Sequence, residues 1–254
     1  MKGTCLITGG GRGIGRETAR RAAVLGWDVA IVFRDNVEAA EAAARDVREA
    51  GRKALIHRAD VAREADIVSA FKAVDDAMPP LGALVNSAGI SVHARVDSLD
   101  AAGLERMFAV NVTGLMLCCR EAARRMSTRH GGRGGGIVNV SSMAATIGGR
   151  PSSSTYASSK GAVDVFTTGF AREVAAEGIR VNAVRPGITD TEMIGDVGAG
   201  AKRAAAEATI PMRRFATPGE IAEAIVWLLS DACPFLTGAH LNIGGGGFHI
   251  GAPS

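Results

Sequence analysis

The sequence is poor in the features that define metal, nucleic-acid and disulfide-rich proteins. Its four cysteines and five histidines show no metal-ligand spacing and no disulfide framework, so we predict no metal site and expect reduced, buried cysteines. The 29 basic and 26 acidic residues are interspersed and give a net charge of +3, which provides no reason to expect nucleic acid as a partner.

Long apolar runs are also missing. No uninterrupted apolar stretch approaches the ~20 residues that a membrane-spanning helix requires. The first ten residues enter a strand-like run and lack the apolar core of a signal peptide. We therefore expect a soluble, cytoplasmic protein without a membrane partner.

What is present is the composition of an ordinary globular protein. Hydrophobic residues make up 47% and charged residues 22% of a 254-residue chain, a length at the upper end of one domain. No proline-rich or serine-rich linker divides the chain, so one domain over residues 1–254 is predicted.

Short apolar runs rich in Val, Ile and Leu alternate with longer segments of helical periodicity, which is the pattern of an α/β protein. Each run is too uniformly apolar for a strand that has one face in solvent. This favours a parallel sheet covered by helices on both sides, the doubly wound Rossmann-type plan. The predicted strands cover residues 5–8, 29–33, 54–57, 83–86, 136–140, 180–184 and 239–243. The predicted helices cover residues 16–25, 37–50, 65–78, 104–128, 156–176 and 218–229.

One segment beyond the sixth predicted strand differs from the rest. Residues 191–208 combine small residues, scattered charge and weak helical character. We predict a small substrate lid there, around residues 189–210.

A glycine cluster follows the first predicted strand, in the run from Thr8 to Gly15. Glycines let the backbone turn tightly and approach a pyrophosphate, and the positive end of the following helix attracts its charge. Its place at the first strand–helix junction predicts a dinucleotide site. The cofactor-binding residues expected there are Gly9, Arg12, Gly13, Ile14 and Gly15.

The end of the second predicted strand distinguishes NAD from NADP. A carboxylate there binds the ribose 2′-hydroxyl of NAD, whereas an arginine accommodates the 2′-phosphate of NADP. Phe33 ends the strand, Arg34 follows, and Arg12 can approach the same phosphate. Because guanidiniums bind phosphate strongly, NADP(H) is the predicted cofactor, with NAD(H) as the alternative. Asp35 supports that alternative, since a strand ending one residue later would place its carboxylate at the ribose.

Tyr156 is the one tyrosine of the chain and lies four residues before Lys160. This spacing puts the phenol and the ammonium on one face of a helix, about one turn apart. A neighbouring cation stabilises the phenolate and lowers the phenol pKa from ~10, which would let Tyr156 exchange a proton with a substrate oxygen. Ser141 and Ser142 follow the fifth predicted strand, and we assign Ser142 to the same oxygen because successive strand side chains alternate.

Seven ordered landmarks resemble the motifs of classical short-chain dehydrogenases/reductases, over about residues 4 to 247. The landmarks are the glycine loop at residues 8–15, Asp60-Val61, the Asn-Ser-Ala-Gly run at 86–89, Asn111, Ser142, the Tyr-Ala-Ser-Ser-Lys run at 156–160, and Pro186-Gly187. The resemblance implies a seven-stranded Rossmann-type sheet, a nicotinamide cofactor and a homotetramer built partly through the two long helices.

The resemblance also implies roles for individual residues. The catalytic residues would be Asn111, Ser142, Tyr156 and Lys160, with Asn111 holding a water in a proton relay through Lys160 to Tyr156. Asp60 would bind the adenine amino group, with Val61 beside the ring. The other implied cofactor contacts are Asn86, Ala88 and Gly89 along the adenosine ribose, Tyr156 and Lys160 at the nicotinamide end, and Pro186, Gly187, Thr189 and Thr191 at the carboxamide.

These residues predict an NADP-dependent oxidoreductase that interconverts a carbonyl and a secondary alcohol, with Tyr156 as acid and base. The alternative is a non-catalytic NAD(P)-binding sensor or scaffold on the same fold. Such a protein would be expected to lack one of the four catalytic residues, and all four are present. The substrate is left open between an acyl-carrier thioester, a sugar, a steroid and a small ketone. The run as a whole resembles 3-oxoacyl-[acyl-carrier-protein] reductases and glucose dehydrogenases.

Overall fold

Seven short, mostly apolar strands form the centre of the molecule, in a computed structural model that describes residues 2–247. They are β1 (Thr4–Thr8), β2 (Asp28–Phe33), β3 (Ala54–Arg58), β4 (Leu81–Asn86), β5 (Gly135–Val140), β6 (Ile179–Pro186) and β7 (His240–Ile243). All pairings are parallel, in the order β3-β2-β1-β4-β5-β6-β7. The predicted doubly wound sheet is confirmed. Its strand order reverses between β1 and β4, where the carboxyl ends of the strands leave a crevice for a ligand.

Helices cover both faces because the central strands are buried on both sides. The α-helices are α1 (Gly13–Val24), α2 (Val37–Glu49), α3 (Glu64–Ala77), α4 (Ala101–Phe108), α5 (Leu115–Met126), α6 (Ala144–Ile147), α7 (Ser154–Val174), α8 (Gly200–Ala208) and α9 (Pro218–Leu229). On one face, Leu84 and Ile137 of the sheet join an apolar cluster with α3, α5 and α7. On the other face, Ile7 and Val138 join a cluster with α1, α2 and α9.

The long helix predicted over residues 104–128 is interrupted. A π-helical turn, Ala109–Gly114, separates α4 from α5. Asn111 lies in this turn and is fully buried. Gly114 permits a close approach there, because a Cβ at this position would lie 2.1 Å from the Val61 carbonyl oxygen. Apolar periodicity does not reveal such a turn, and π-turns within helices are frequent at functional sites.

By length and composition, the helical run Ala101–Met126 could cross a membrane, with a mean hydropathy of 1.2 in its 18-residue window. Met107, Val110, Leu115 and Cys119 of this run are buried in the apolar cluster beneath the sheet. Packing against the sheet therefore accounts for part of its apolar composition, since 39% of that window is buried.

The predicted lid contains more helix than its composition indicates. A 3₁₀ segment, Glu192–Gly198, is followed by α8. Ile194 and Val197 pack with Ala206, Ile210 and Phe215 in a small apolar cluster beside the main core. Alanine and glycine make up six of the nine residues of α8, so the helix carries few large apolar side chains. Its action as a lid stays a prediction.

Candidate active site

The end of β5 and the start of α7 bring three polar side chains together. Ser142 lies two residues beyond β5, Tyr156 lies in the first turn of α7, and Lys160 lies one turn later. The Tyr156 hydroxyl hydrogen-bonds with Ser142. The Lys160 Nζ is 5.9 Å from the centre of the Tyr156 ring. The structure thus places these three residues together, as the sequence predicts.

The two serines after β5 have different neighbours. Ser141 is buried, and its hydroxyl donates to the Lys160 carbonyl oxygen at 3.2 Å. The Ser142 hydroxyl accepts from the Ala144 amide at 3.1 Å and hydrogen-bonds with Tyr156. Ser141 therefore ties α7 to the sheet, and Ser142 is the serine that faces the phenol.

The surroundings of Tyr156 oppose its ionisation. Burial raises the pKa of the phenol, and the weaker effect of the Ser142 hydrogen bond lowers it. The sequence predicts that Lys160 lowers this pKa, and for the chain without a ligand that prediction is wrong. The physical reason is the burial of Lys160 itself, which lowers the pKa of its ammonium to about 8. Lys160 therefore loses its proton before the phenol does.

Lys160 is held in the interior by the sheet. It is 5% exposed, and its Nζ donates to the Val140 carbonyl oxygen at 2.8 Å. The Asp164 carboxylate partly offsets the effect of burial on the Lys160 pKa. A Cβ at Gly89 would lie 3.5 Å from the Nζ, so the glycine borders the ammonium closely.

Asn111 completes the cluster from the π-helical turn. Its Oδ1 accepts from the Ile90 amide at 2.9 Å, and its Nδ2 donates to the Ile90 carbonyl oxygen at 2.8 Å. The Nδ2 also donates to the Ser159 hydroxyl at 3.1 Å, one residue before Lys160. The Asn111 side chain therefore fixes the segment after β4 against α7. Its role in holding a water stays a prediction.

The glycine loop between β1 and α1 has the geometry expected of a dinucleotide site. Gly9 and Gly13 have φ angles of 66° and 49°, which favour glycine. A Cβ at Gly15 would lie 2.3 Å from the Gly9 carbonyl oxygen. Within the described residues no side chain caps the start of α1, so its first amides can bind a phosphate. Ile14 packs against the core and fixes the helix direction.

The turn after β4 faces this loop. A Cβ at Gly9 would lie 2.9 Å from the Ala88 Cα. The Thr8 hydroxyl accepts from the amides of Ser87 and Ala88, each at 3.2 Å. Thr8 was not among the predicted site residues, although its position at the end of β1 was known from the glycine motif.

The position of the Asn86 side chain differs from the one that its implied role at the ribose requires. Its side chain is buried within the sheet, where its Nδ2 donates to the Asn139 Oδ1 at 2.9 Å and to the Cys119 Sγ at 3.3 Å. Alternation along β4 turns this side chain inward, so Asn86 supports the turn from within. Ala88 and Gly89 form the part of the turn that borders the glycine loop and the Lys160 ammonium.

The segment after β6 reaches the glycine loop from the opposite side. A Cβ at Gly13 would lie 3.1 Å from the Thr191 Cγ2. Arg12 forms an ion pair with Glu192, the next residue of that segment. The structure therefore directs Arg12 towards the predicted lid, whereas the sequence predicts that it shares a phosphate with Arg34.

Three further predicted residues shape the start of this segment. The Pro186 carbonyl oxygen accepts from the Met143 amide at 2.9 Å, which joins the ends of β5 and β6. A Cβ at Gly187 would lie 2.9 Å from the Gly244 Cα. Thr189 is buried, and its hydroxyl donates to the Gly187 carbonyl oxygen at 3.2 Å. The backbone after β6 is thus fixed near Ser142, with its contact to a carboxamide remaining a prediction.

A polar pocket of about 600 Å³ opens beyond the ends of β2 and β3. Phe33 ends β2 and Arg34 follows, as the sequence predicts, and the Arg34 guanidinium pairs with Asp35. The Arg58 Nε donates to the Arg34 carbonyl oxygen at 2.9 Å. The pocket is lined by Arg34, Asp35, Arg58, Asp60, Arg63, Asp66, Ser69 and Arg106. The sequence motifs do not indicate Arg58. It lies at this edge because β2 and β3 are parallel neighbours whose register pairs Phe33 with Arg58.

Asp60 is bound by an arginine that no sequence motif indicates. Arg106 of α4 reaches Asp60 with both terminal nitrogens, Nη1 to Oδ2 and Nη2 to Oδ1, each at 2.9 Å. Burial raises the pKa of Asp60, but the Arg106 and Ala62 hydrogen bonds hold it below its ordinary value. Val61 beside it is buried. The Asp60 carboxylate is therefore ionised and already bonded, and its contact with adenine stays a prediction.

Comparison with known proteins identifies the family. Residues 9–249 match the family model described as enoyl-(acyl carrier protein) reductase. The chain is 46% identical over 242 residues to the uncharacterized oxidoreductase YgfF of Escherichia coli, spanning 95% of this chain and 98% of that protein. It is 40% identical over 242 residues to cis-4-hydroxycyclohexanecarboxylate dehydrogenase of Sinomonas cyclohexanicum, spanning 95% and 94%. A short chain dehydrogenase from Burkholderia cenocepacia in complex with NADP matches the fold with a TM-score of 0.89, at 33% identity over 96% of each chain. The chain belongs to the short-chain dehydrogenase/reductase family.

Membership of the short-chain dehydrogenase/reductase family confirms the predicted family and enzyme class. The chain is an oxidoreductase of this family that acts on CH–OH donors. Among residues 2–247, no group of three or more His, Cys, Asp or Glu side chains is arranged to hold a metal ion.

Proposed function

We propose that the protein is an NADP-dependent reductase and dehydrogenase that interconverts a carbonyl and a secondary alcohol, with Tyr156 as its acid and base. The observation that carries the proposal is the hydrogen bond between Ser142 and Tyr156, beside the buried Lys160 and at the edge of the sheet where the glycine loop opens. Two hydroxyls that meet in this way can bind the same substrate oxygen.

The residues present fit a dinucleotide. A side chain at Gly9 or Gly15 would collide with backbone, so both positions leave room for close approach, and the amides at the start of α1 are available to phosphate. When bound, the nicotinamide cofactor supplies or accepts the hydride. The Tyr156 hydroxyl donates its proton to the carbonyl oxygen during reduction and takes it back during oxidation. Ser142 holds that oxygen, and Lys160 supplies a positive charge beside the phenol.

The polar pocket at the ends of β2 and β3 supports NADP over NAD. Arg34, Arg58 and Arg63 line it, and the first residue beyond β2 is an arginine instead of a carboxylate. A 2′-phosphate would replace Asp35 as the partner of the Arg34 guanidinium. The relative crystallised with NADP is consistent with this choice.

The test of the proposal is a panel of carbonyl and alcohol compounds assayed with NADPH, NADP⁺, NADH and NAD⁺. We expect oxidation of NADPH with at least one carbonyl compound, and a higher kcat/KM with NADPH than with NADH. Arg34→Asp is expected to reverse that order, because a carboxylate repels the 2′-phosphate and binds the 2′-hydroxyl. Asp35→Asn is the matched control and should keep the preference for NADPH. Equal losses with both cofactors in Arg34→Asp would contradict the NADP assignment.

We also propose that the protein is a cytoplasmic homotetramer. Large apolar side chains are exposed on α7, on α9 and in the loop before β7, where Val165 is 76%, Trp227 44% and Phe235 102% exposed. Such residues are enriched where subunits meet. Sedimentation equilibrium gives the mass directly, and a monomer or a dimer at micromolar concentration would contradict the tetramer.

A further inference from the structure

Helix α7 carries a buried charge that the proposed chemistry does not use. Asp164 lies four residues after Lys160, which itself lies four residues after Tyr156. The three side chains therefore follow one another along one face of the helix, at intervals of one turn. Asp164 is 7% exposed and Lys160 is 5% exposed.

The Asp164 carboxylate is only partly satisfied by its neighbours. Its Oδ2 accepts from the Arg185 Nε of β6 at 2.9 Å. Its Oδ1 is buried and has no hydrogen-bond partner within the described part of the chain. Leaving a buried carboxylate oxygen unpaired costs free energy, and an apolar residue at this point of α7 would avoid that cost.

The groups that face Asp164 come from three elements. Lys160 lies on α7 itself, Arg185 lies on β6, and His240 lies on β7. The His240 Nε2 is 3.0 Å from the Asp164 carbonyl oxygen and 3.8 Å from the Oδ1. The Arg185 Nη1 also donates to the Asn242 Oδ1 at 3.4 Å, so its guanidinium bridges α7 and β7.

Lys160 needs a source of negative charge if it is to remain an ammonium. Its Nζ donates to the Val140 carbonyl oxygen, which carries no full charge, and the Asn111 Oδ1 borders the same side of Gly89 as the Nζ. Burial brings its pKa down to about 8, even though the Asp164 carboxylate acts in the opposite direction. Without that carboxylate, the ammonium would lose its proton closer to neutral pH.

We propose that Asp164 is a positioning residue of the active site, which keeps Lys160 in its charged form while Arg185 binds its carboxylate and His240 hydrogen-bonds to its backbone carbonyl oxygen. This inference rests on the proposed function, because Lys160 acts there through its charge beside Tyr156. The unpaired Oδ1 leaves part of the negative charge available to the ammonium one turn away. Asp164 thus acts through Lys160 and does not contact the reacting atoms.

The charge of Lys160 can be measured without any assay of activity. The chain has five lysines, Lys2, Lys53, Lys72, Lys160 and Lys202. In protein labelled with ¹³C-lysine, the Cε resonances titrate separately, and the signal lost in Lys160→Met identifies Lys160. We expect Asp164→Asn to lower the Lys160 pKa by roughly one unit or more. Asp164→Glu keeps the charge and should lower it by less.

The pH dependence of kcat/KM connects this titration to catalysis. In Asp164→Asn, the limb of the profile that belongs to Lys160 should move to lower pH by the same amount as the NMR titration. A purely structural role would reduce activity at every pH without moving the limb. If Asp164→Asn does not fold, Arg185→Gln provides the test with the opposite sign, because removal of a positive charge beside the carboxylate should raise the Lys160 pKa.

An unchanged Lys160 titration in Asp164→Asn, or in Arg185→Gln where that variant is used, would overturn the role of Asp164 whatever the activity. A shifted Lys160 titration in Asp164→Asn, together with a wild-type protein that reduces no carbonyl compound, would instead contradict the proposed function and leave the link between Asp164 and Lys160 intact.

Discussion

The surroundings of Tyr156 shift the pKa of its phenol in opposite directions. Burial favours the neutral phenol, and Ser142 favours the phenolate. Lys160 is also buried and titrates near pH 8, below the phenol. At neutral pH a charged lysine therefore stands beside a neutral tyrosine, which is the arrangement that a general acid requires before reduction.

Because Tyr156 is the one tyrosine of the chain, the ultraviolet absorbance of its phenolate reports its pKa without interference from other tyrosines. We expect a midpoint above the ~10 of free tyrosine in the ligand-free protein. Ser142→Ala should raise this midpoint further, because it removes the hydrogen bond that favours the phenolate. Lys160→Met should change it little, since Lys160 is already neutral when the phenol titrates. A midpoint below that of free tyrosine, rising in Lys160→Met, would show that Lys160 lowers the pKa after all.

At the scale of elements, the site depends on how closely backbone segments approach one another. The glycine loop packs onto the start of α1 and onto the turn after β4, with no space for additional atoms at Gly9 or Gly15. The π-helical turn places Asn111 against Ile90 and Ser159. These contacts fix the loop, α7 and the turn after β4 relative to one another.

Gly15→Ala is expected to abolish cofactor binding, because its Cβ would lie 2.3 Å from the Gly9 carbonyl oxygen and would force the loop open. The matched control is Gly169→Ala on α7, where nothing lies within 4 Å of the added atom. That substitution should stabilise the protein by about 0.5–1 kcal/mol through helix propensity. Cofactor titration by fluorescence and thermal unfolding of both variants provide the test. Normal NADPH binding by Gly15→Ala would contradict the packing argument.

Sequence patterns were sufficient for elements whose signal is local. The apolar runs predicted all seven strands within a few residues, and the glycine loop, Ser142, Tyr156 and Lys160 follow from spacing at strand ends. The π-helical turn was missed because one added residue changes the apolar period little. Arg106 was missed because its pairing with Asp60 joins segments that only the fold brings together. The hydrogen bond of the Asn86 side chain to Asn139 likewise depends on the register of β4 with β5, which the motif does not specify.

At the scale of the whole molecule, the chain buries the Lys160 ammonium on α7, a helix that packs into the apolar cluster on one face of the sheet. Lys160 is destabilising while it is charged, because its pKa is about 8 in the folded state against 10.5 when free. Below pH 8 both states bind the proton, and the full cost of about 3 kcal/mol is present. Between the two values the unfolded state binds more protons, so this contribution to stability rises with pH and the cost disappears above the higher one. The buried thiols of Cys5 and Cys118, whose pKa values are raised to about 12, act in the opposite direction at alkaline pH.

A comparison of Lys160→Met with the wild-type protein separates these effects, since the thiols are common to both. The free energy of unfolding, measured with urea, should favour Lys160→Met most near neutral pH, and the difference should shrink as the pH rises from about 8 to about 10.5. Lys72→Met removes an exposed lysine paired with Asp76 and should show a constant difference over that interval. A constant difference in Lys160→Met as well would mean that Lys160 is not neutralised by burial.

The most direct test of the account is the turnover of Tyr156→Phe with NADPH and the best carbonyl substrate of the panel. This variant removes one oxygen atom and keeps the ring. We predict that kcat falls by about 10²- to 10⁴-fold, the usual contribution of a general acid. The dissociation constant for NADPH should change by no more than about threefold, since the loss is one hydrogen bond at the edge of the cofactor site. A variant that keeps kcat within about tenfold of the wild-type value while binding NADPH normally would contradict the assignment of Tyr156 as the proton donor.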